Sequence, residues 1–277
     1  MGVSMHQPLS QKAHEMLLAN KTAIIHGAAG KIGSATARQF AADGARLFLA
    51  GRTLAKVQAL ADEINANGGT ADAAEVDALD EAAVGAHADA VAAKAGRIDV
   101  TFNAVWIRGD LQGTRVIDMP TEDVLTPITV GARTHLLTAI AAARHMVKQG
   151  SGVILTLSST GAHLSGRDQM KHHAGGFGVA CSTIEALSRT LAGELGPHGV
   201  RVVCLRSEAI PETWTIEPQH AAFVAEIKAY MTAGTILGRM TTLAELANAA
   251  AFAASDRASA MSGAIMNLTC GSVMDAD

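Results

Sequence analysis

Tyrosine is nearly absent from this chain: there is one, Tyr230, in 277 residues, and aromatic residues together make up 3%. Any chemistry that needs a phenol as acid or base has one position available. Cysteines number three (Cys181, Cys204, Cys270), an odd count at wide spacing. This excludes a disulfide framework and leads us to expect a reducing, cytoplasmic setting. Neither sign of charge dominates: 22 Lys and Arg stand against 26 Asp and Glu, for a net −4. With no run of about five basic residues, the electrostatic footprint of a nucleic-acid partner is missing. No uninterrupted apolar run reaches about 18 residues, so no membrane span or membrane partner is expected. Residues 1–20 scatter His6, Gln7, Lys12, His14 and Glu15 among short apolar pieces, unlike a signal peptide. Met1-Gly2 is followed by His6 where an N-myristoylation signal carries Ser or Thr.

What the chain has is apolar mass, with 49% hydrophobic and 17% charged residues. That composition excludes global disorder, and the length allows a large core without metal or disulfide staples. Short apolar runs alternate with Ala-rich helical stretches. Strands are expected at residues 21–26 (KTAIIH), 45–50, 70–76, 98–104, 152–157, 200–205 and 264–268. Helices are expected at 31–42, 54–65, 81–94, 121–148, 178–195 and 243–254. Strand–helix alternation reads as βαβ units, which require a parallel sheet covered on both faces. The expected fold is α/β, a single doubly wound domain over 21–277 with a short N-terminal extension over 1–20. Residues 211–238 fit this alternation poorly and read as an inserted helix or lid, with Trp214, Phe223 and Met231 as candidates to line a pocket.

The first strand runs into His26-Gly27-Ala28-Ala29-Gly30-Lys31-Ile32-Gly33 and then a helix. Gly27, Gly30 and Gly33 permit a tight turn and close backbone approach, and the helix start offers free N–H groups to a pyrophosphate. The second strand ends in Ala50-Gly51-Arg52-Thr53, without the carboxylate that would bind the ribose hydroxyls of NAD. Arg52, helped by Lys31, suits a 2′-phosphate, so NADP is favoured over NAD.

These motifs, with several others in order, resemble the short-chain dehydrogenase/reductase family from about residue 21 to 271. Val76-Asp77-Ala78 resembles the segment whose Asp caps the adenine. Phe102-Asn103-Ala104-Val105 resembles NNAG. Leu155-Thr156-Leu157-Ser158-Ser159 resembles the strand ending at the catalytic Ser, and residues 191–202 (LAGELGPHGVRV) are close to the family's LAxELgphGIRV. The resemblance implies a Rossmann sheet of order 3-2-1-4-5-6-7 and a nicotinamide cofactor at Gly27, Gly30, Lys31, Ile32, Gly33, Arg52, Asp77, Ala78, Asn103 and Ala104. It also implies Ile210 on the nicotinamide amide, a small-molecule substrate, and a homodimer or homotetramer built through residues 136–143 and 184–195.

The family's catalysis uses a Ser, a Tyr, a Lys four residues after the Tyr, and an Asn in the fourth helix. Ser159 matches the Ser. Counting back from residues 191–192 places the Tyr and Lys at Phe177 and Cys181. Counting thirteen forward from Ser159 lands on His172 instead, so the intervening loop, residues 161–176, is longer than usual. Tyr230 cannot serve, since Gly234 stands four residues later. No Asn occurs between Asn103 and Asn248, and Val130 lies nearest the relay position. Ser207-Glu208 replaces the family's PG and sets a carboxylate near the nicotinamide.

Three readings follow. The first is an NADP-dependent reductase of a small carbonyl, imine or activated double bond, with Ser159 as orienting group and His172, then Lys171, as substitute proton donor. The second is an inactive nucleotide-binding homologue. The third is non-redox chemistry with Glu208, Asp168 or a His as base. No metal site is expected, because adjacent histidines point apart and no ligand spacing supports them.

Overall fold

The computed structural model describes residues 16–164, 166–214 and 221–274. Among these, seven strands form one parallel sheet of order β3-β2-β1-β4-β5-β6-β7, the expected order. The strands are β1 Thr22–His26, β2 Arg46–Gly51, β3 Thr70–Glu75, β4 Val100–Asn103, β5 Gly152–Ser159, β6 Val200–Ser207 and β7 Ile265–Leu268. Between them run α1 Lys31–Ala42, α2 Leu54–Ala66, α3 Glu81–Ala95, α4 Thr121–Gln149, α5 Gly166–His172, α6 Gly175–Leu195, α7 Ala221–Ala233 and α8 Leu243–Ala254.

The central strands are apolar on both faces because both are covered by helices. One core layer joins Ile25, Leu47, Leu49, Phe102, Leu155, Val203 and Leu205 to α1, α2 and α8. The other joins Ile24, Phe48, Ile154 and Val202 to α3, α4 and α6. Most of the N-terminal extension lies outside the described residues, but Leu18 is fully buried in the first layer.

Helix α4 is long and apolar enough, by length and composition, to cross a membrane. It departs in that respect from the sequence expectation. In the fold it is a packing helix: Thr138, Ala139, Ala142 and Met146 are buried, and a Cβ at Gly131 would stand 3.3 Å from that of Ala180 on α6.

The long loop after Ser159 contains a short helix, α5. The expected lid carries α7. These two elements follow β5 and β6, whose last residues pair as Ser159 with Ser207. Both therefore rise from the same end of the sheet.

Candidate active site

The loop between β1 and α1 is built for backbone approach. Gly27 has φ +71°, and a Cβ there would stand 2.7 Å from the Ala104 carbonyl oxygen. A Cβ at Gly33 would stand 2.4 Å from the Gly27 carbonyl oxygen. Gly30 caps α1 with no side-chain hydrogen bond, so the first-turn N–H groups around Lys31, Ile32 and Gly33 face outward for an acceptor. Lys31 Nζ donates to the carbonyls of Glu212, at 2.9 Å, and Trp214, at 3.4 Å. It thus ties the glycine loop to the segment after β6.

Arg52, beside this cradle at the end of β2, is exposed and has no hydrogen-bond or ion-pair partner among the described residues. Asp77 is exposed and accepts from the Leu79 N–H at 3.0 Å, while Ala78 is buried. Asn103 is buried: its amide donates to Thr138 Oγ1 at 3.2 Å, and its carbonyl accepts from Val105 N–H at 2.9 Å. Ala104 N–H donates to the His26 carbonyl at 2.9 Å. His26 is fully enclosed, its Nδ1 without a partner among the described residues, and burial with His87 nearby lowers its pKa to about 3. The residues present fit a dinucleotide: a glycine cradle a side chain would fill, an uncapped helix start and an unengaged arginine.

At the end of β5, Ser159 Oγ accepts from Gly161 N–H at 3.1 Å and lies 3.5 Å from Cys181 Sγ. Phe177 stands one turn before Cys181 on α6, against Gly161 and Gly109. Cys181 has no exposed surface, and burial pushes its thiol above the usual range. Val130 is half-buried against the cluster around Ile107, Ala180 and Cys181. A different α4 residue reaches β5: His135 Nδ1 sits 2.9 Å from the Gly131 carbonyl, and its Nε2 accepts from Leu157 N–H at 3.3 Å. Burial, the larger influence, lowers the His135 pKa to about 4.

Two carboxylates lie behind this serine. Glu208 is 6% exposed; it accepts from Thr160 Oγ1 at 2.9 Å, from Ala209 N–H at 3.0 Å and from the Ser272 hydroxyl. Ile210, two residues on, is buried. Glu185 on α6 forms a two-point pair with Arg206 of β6, at 2.8 Å and 2.7 Å. Ser158 Oγ also donates to Glu185, His163 Nε2 lies 3.1 Å from it, and Arg206 also donates to Asn267. Burial pushes Glu185 up, but the hydrogen bonds from Arg206, His163 and Ser158 outweigh it and hold the carboxyl below its ordinary value. The sequence reading missed this pair. Its available signal was Arg206 itself, a charge directly after the apolar run Val202–Leu205.

His172 and Lys171 make their contacts with α7. The His172 ring lies 5.6 Å from that of Tyr230, and Lys171 Nζ stands 4.2 Å from the Tyr230 ring centre and 3.7 Å from Glu226. Tyr230 donates to Asp168 at 2.5 Å. The chain's one tyrosine is thus joined to a lysine 59 positions away in sequence (230 − 171), and neither His172 nor Lys171 is hydrogen-bonded to Ser159 among the described contacts. Trp214 and Met231 are half-buried, and the Phe223 side chain falls outside the described residues.

Known proteins share this architecture. Residues 27–272 match the family model described as enoyl-(acyl carrier protein) reductase. The chain is 34% identical over 261 residues to L-rhamnose 1-dehydrogenase (NAD(P)(+)) of Azotobacter vinelandii, covering 90% of this chain and 95% of that protein. It is 30% identical over 247 residues to D-threitol dehydrogenase of Mycolicibacterium smegmatis, with 89% and 90% covered. A solved 7α-hydroxysteroid dehydrogenase complexed with NADH and 7-oxo glycochenodeoxycholic acid superposes with a TM-score of 0.80 at 28% identity, covering 95% of this chain and 98% of that one. With its strand order, its glycine loop and these relatives, the chain belongs to the short-chain dehydrogenase/reductase family of oxidoreductases.

Proposed function

We propose that the protein is an NADP-dependent reductase that passes a hydride to a small carbonyl, imine or activated double bond, and that it is an atypical member of its family without the Tyr-x-x-x-Lys pair. The observation that carries the reading is the unengaged Arg52 beside the glycine cradle, with no carboxylate at the end of β2. Gly27, Gly30, Lys31, Ile32 and Gly33 hold the pyrophosphate, Arg52 the 2′-phosphate, Asp77 and Ala78 the adenine, and Asn103 and Ala104 the nearby ribose. Ile210 meets the nicotinamide amide. Bound there, the dihydronicotinamide supplies a hydride.

Ser159 orients the acceptor from the end of β5. A neutral acceptor also needs a proton, which His172, or Lys171 beside it, delivers from the roof formed by α5 and α7. The reading extends to a cytoplasmic homodimer or homotetramer. Exposed Leu125 and Leu136 on α4 and Val179 on α6 support it, and sedimentation reads it directly.

The test is titration with NADPH and NADH followed by Trp106 and Trp214 fluorescence, with an NADPH-oxidation screen over carbonyls, imines and enones. Equal affinity for the two cofactors would sink the NADP assignment. A second reading, an inactive nucleotide-binding partner of an active homologue, is favoured by Phe177 and Cys181 standing beside Ser159. Tight NADPH binding with no turnover across the whole screen would establish it.

A further inference from the structure

We propose that the hydride acceptor is a cation, a small molecule bearing a C=N⁺ group, and that Glu208 is its electrostatic partner. The proposal rests on the reductase reading above and narrows it to one substrate class.

Glu208 stands at the reacting end of the sheet. It follows Ser207, which pairs with Ser159, and it accepts from Thr160, the residue after Ser159. Its described donors are Thr160, the Ala209 N–H and Ser272, all neutral. Arg206, on the same face of β6, is spent on Glu185. A buried carboxylate served only by neutral donors is costly unless a cation arrives with the ligand. In a low-dielectric site its field acts without any of those hydrogen bonds breaking.

The second observation is independent. Beside Ser159 stand Phe177, which has no proton to give, and Cys181, which is fully buried. A neutral carbonyl reduced there needs an acid from elsewhere, whereas an iminium ion needs none. Its carbon takes the hydride with both electrons and a C–H bond forms. The C=N π pair becomes the nitrogen lone pair, and the dihydronicotinamide is oxidised to its cationic form. Charge moves from substrate to cofactor, and no proton enters or leaves.

The test compares N-methyl dihydroisoquinolinium with α-tetralone as acceptors. It also measures, by calorimetry on the NADPH-loaded enzyme, binding of N,N-dimethyl tetrahydroisoquinolinium, a saturated cation that cannot accept hydride. The expected result is a kcat/KM for the iminium ion at least about tenfold above that for the ketone, with the saturated cation bound at least about tenfold tighter than α-tetralone. Glu208→Gln should erase the tighter binding of the saturated cation, shrink the kcat/KM preference to the part set by the iminium ion's own electrophilicity, and leave NADPH affinity unchanged. If that variant folds poorly, the wild-type binding of the saturated cation against α-tetralone still decides, and Glu208→Asp, which keeps the charge, should keep that preference.

Equal binding of cation and ketone overturns the proposal. So does a Glu208→Gln protein that loses affinity for NADP⁺ relative to NADPH but binds the saturated cation as before, since the carboxylate would then serve the oxidised cofactor. Ketone turnover without a cation preference sinks this inference and leaves the reductase reading standing. A cation preference with no NADPH oxidation on any acceptor sinks the reductase reading, and with it the reaction proposed here, and leaves Glu208 as a cation site.

Discussion

The Cys181 sulfur stands 3.5 Å from the Ser159 hydroxyl oxygen, so the end of β5 faces a buried thiol of α6. Burial raises the thiol pKa, and the thiolate is the reactive form. Cys204, pushed up to about 12 by burial, behaves the same way. The native protein should therefore leave Cys181 and Cys204 unalkylated by iodoacetamide at neutral pH, while unfolding in guanidinium exposes both. Peptide mass mapping reads the difference. Fast native labelling of Cys181 would contradict the packing around Ser159.

Among the described residues Arg52 has no partner to lose, so its removal reports on ligand. Arg52→Ala should weaken NADPH by about ten- to a hundredfold, the worth of charge-assisted hydrogen bonds to a phosphate, and leave NADH affinity unchanged. Parallel fluorescence titrations check it. Loss of neither cofactor would remove the basis for NADP.

His172 and Lys171 sit on the α5 face that meets Tyr230, above the end of the sheet that carries Ser159. If they deliver the proton to a neutral acceptor, His172→Ala combined with Lys171→Ala should lower kcat on a ketone by about 10² to 10⁴, the usual contribution of general acid catalysis. NADPH affinity should be retained. Full ketone turnover in the double variant refutes the assignment.

The legible parts of this molecule were the parts with local causes. Strands β1, β5 and β6 are buried on both faces and so appear as plain apolar runs. The helix expected near 243–254 coincides with α8, whose start the structure fixes with a capping box of Thr242 and Glu245. The glycines and Ser159 were legible because each answers to one turn or one strand end. Helix α5 was missed because its seven residues are nearly all polar and show no helical apolar period. Contacts between distant segments leave no mark in a linear pattern. Lys171 with Tyr230, and Glu185 with Arg206, required the sheet and both covering elements in place.

The Glu185–Arg206 pair is 2% exposed on both sides, and Ser158, His163 and Asn267 add hydrogen bonds to it. Breaking it leaves a buried charge without its partner. Glu185→Gln or Arg206→Met alone should cost about 3–5 kcal/mol, whereas Glu185→Met with Arg206→Met should recover much of that loss. Urea unfolding of the three variants checks it. Single variants as stable as wild type would mean the pair is not sealed from water.

His135 and His26 make stability depend on pH above the range where carboxylates titrate. Both are buried and neutral in the fold, with pKa lowered from 6.5 to about 4 and about 3. The unfolded chain takes up protons on them below about 6.5 while the folded chain does not, so stability is held above that pH and declines as pH falls. Each histidine should remove roughly 1.4 kcal/mol per pH unit well below its unfolded pKa. Glu185, held low by its partners, loses its contribution only at more acidic pH, so the interval from pH 6.5 to 5 isolates the histidines. His135→Gln keeps an acceptor for Leu157 N–H and removes one titrating group, so it should flatten the slope in that interval. Urea midpoints measured across it decide the matter: an unchanged slope would mean His135 takes up its proton without unfolding.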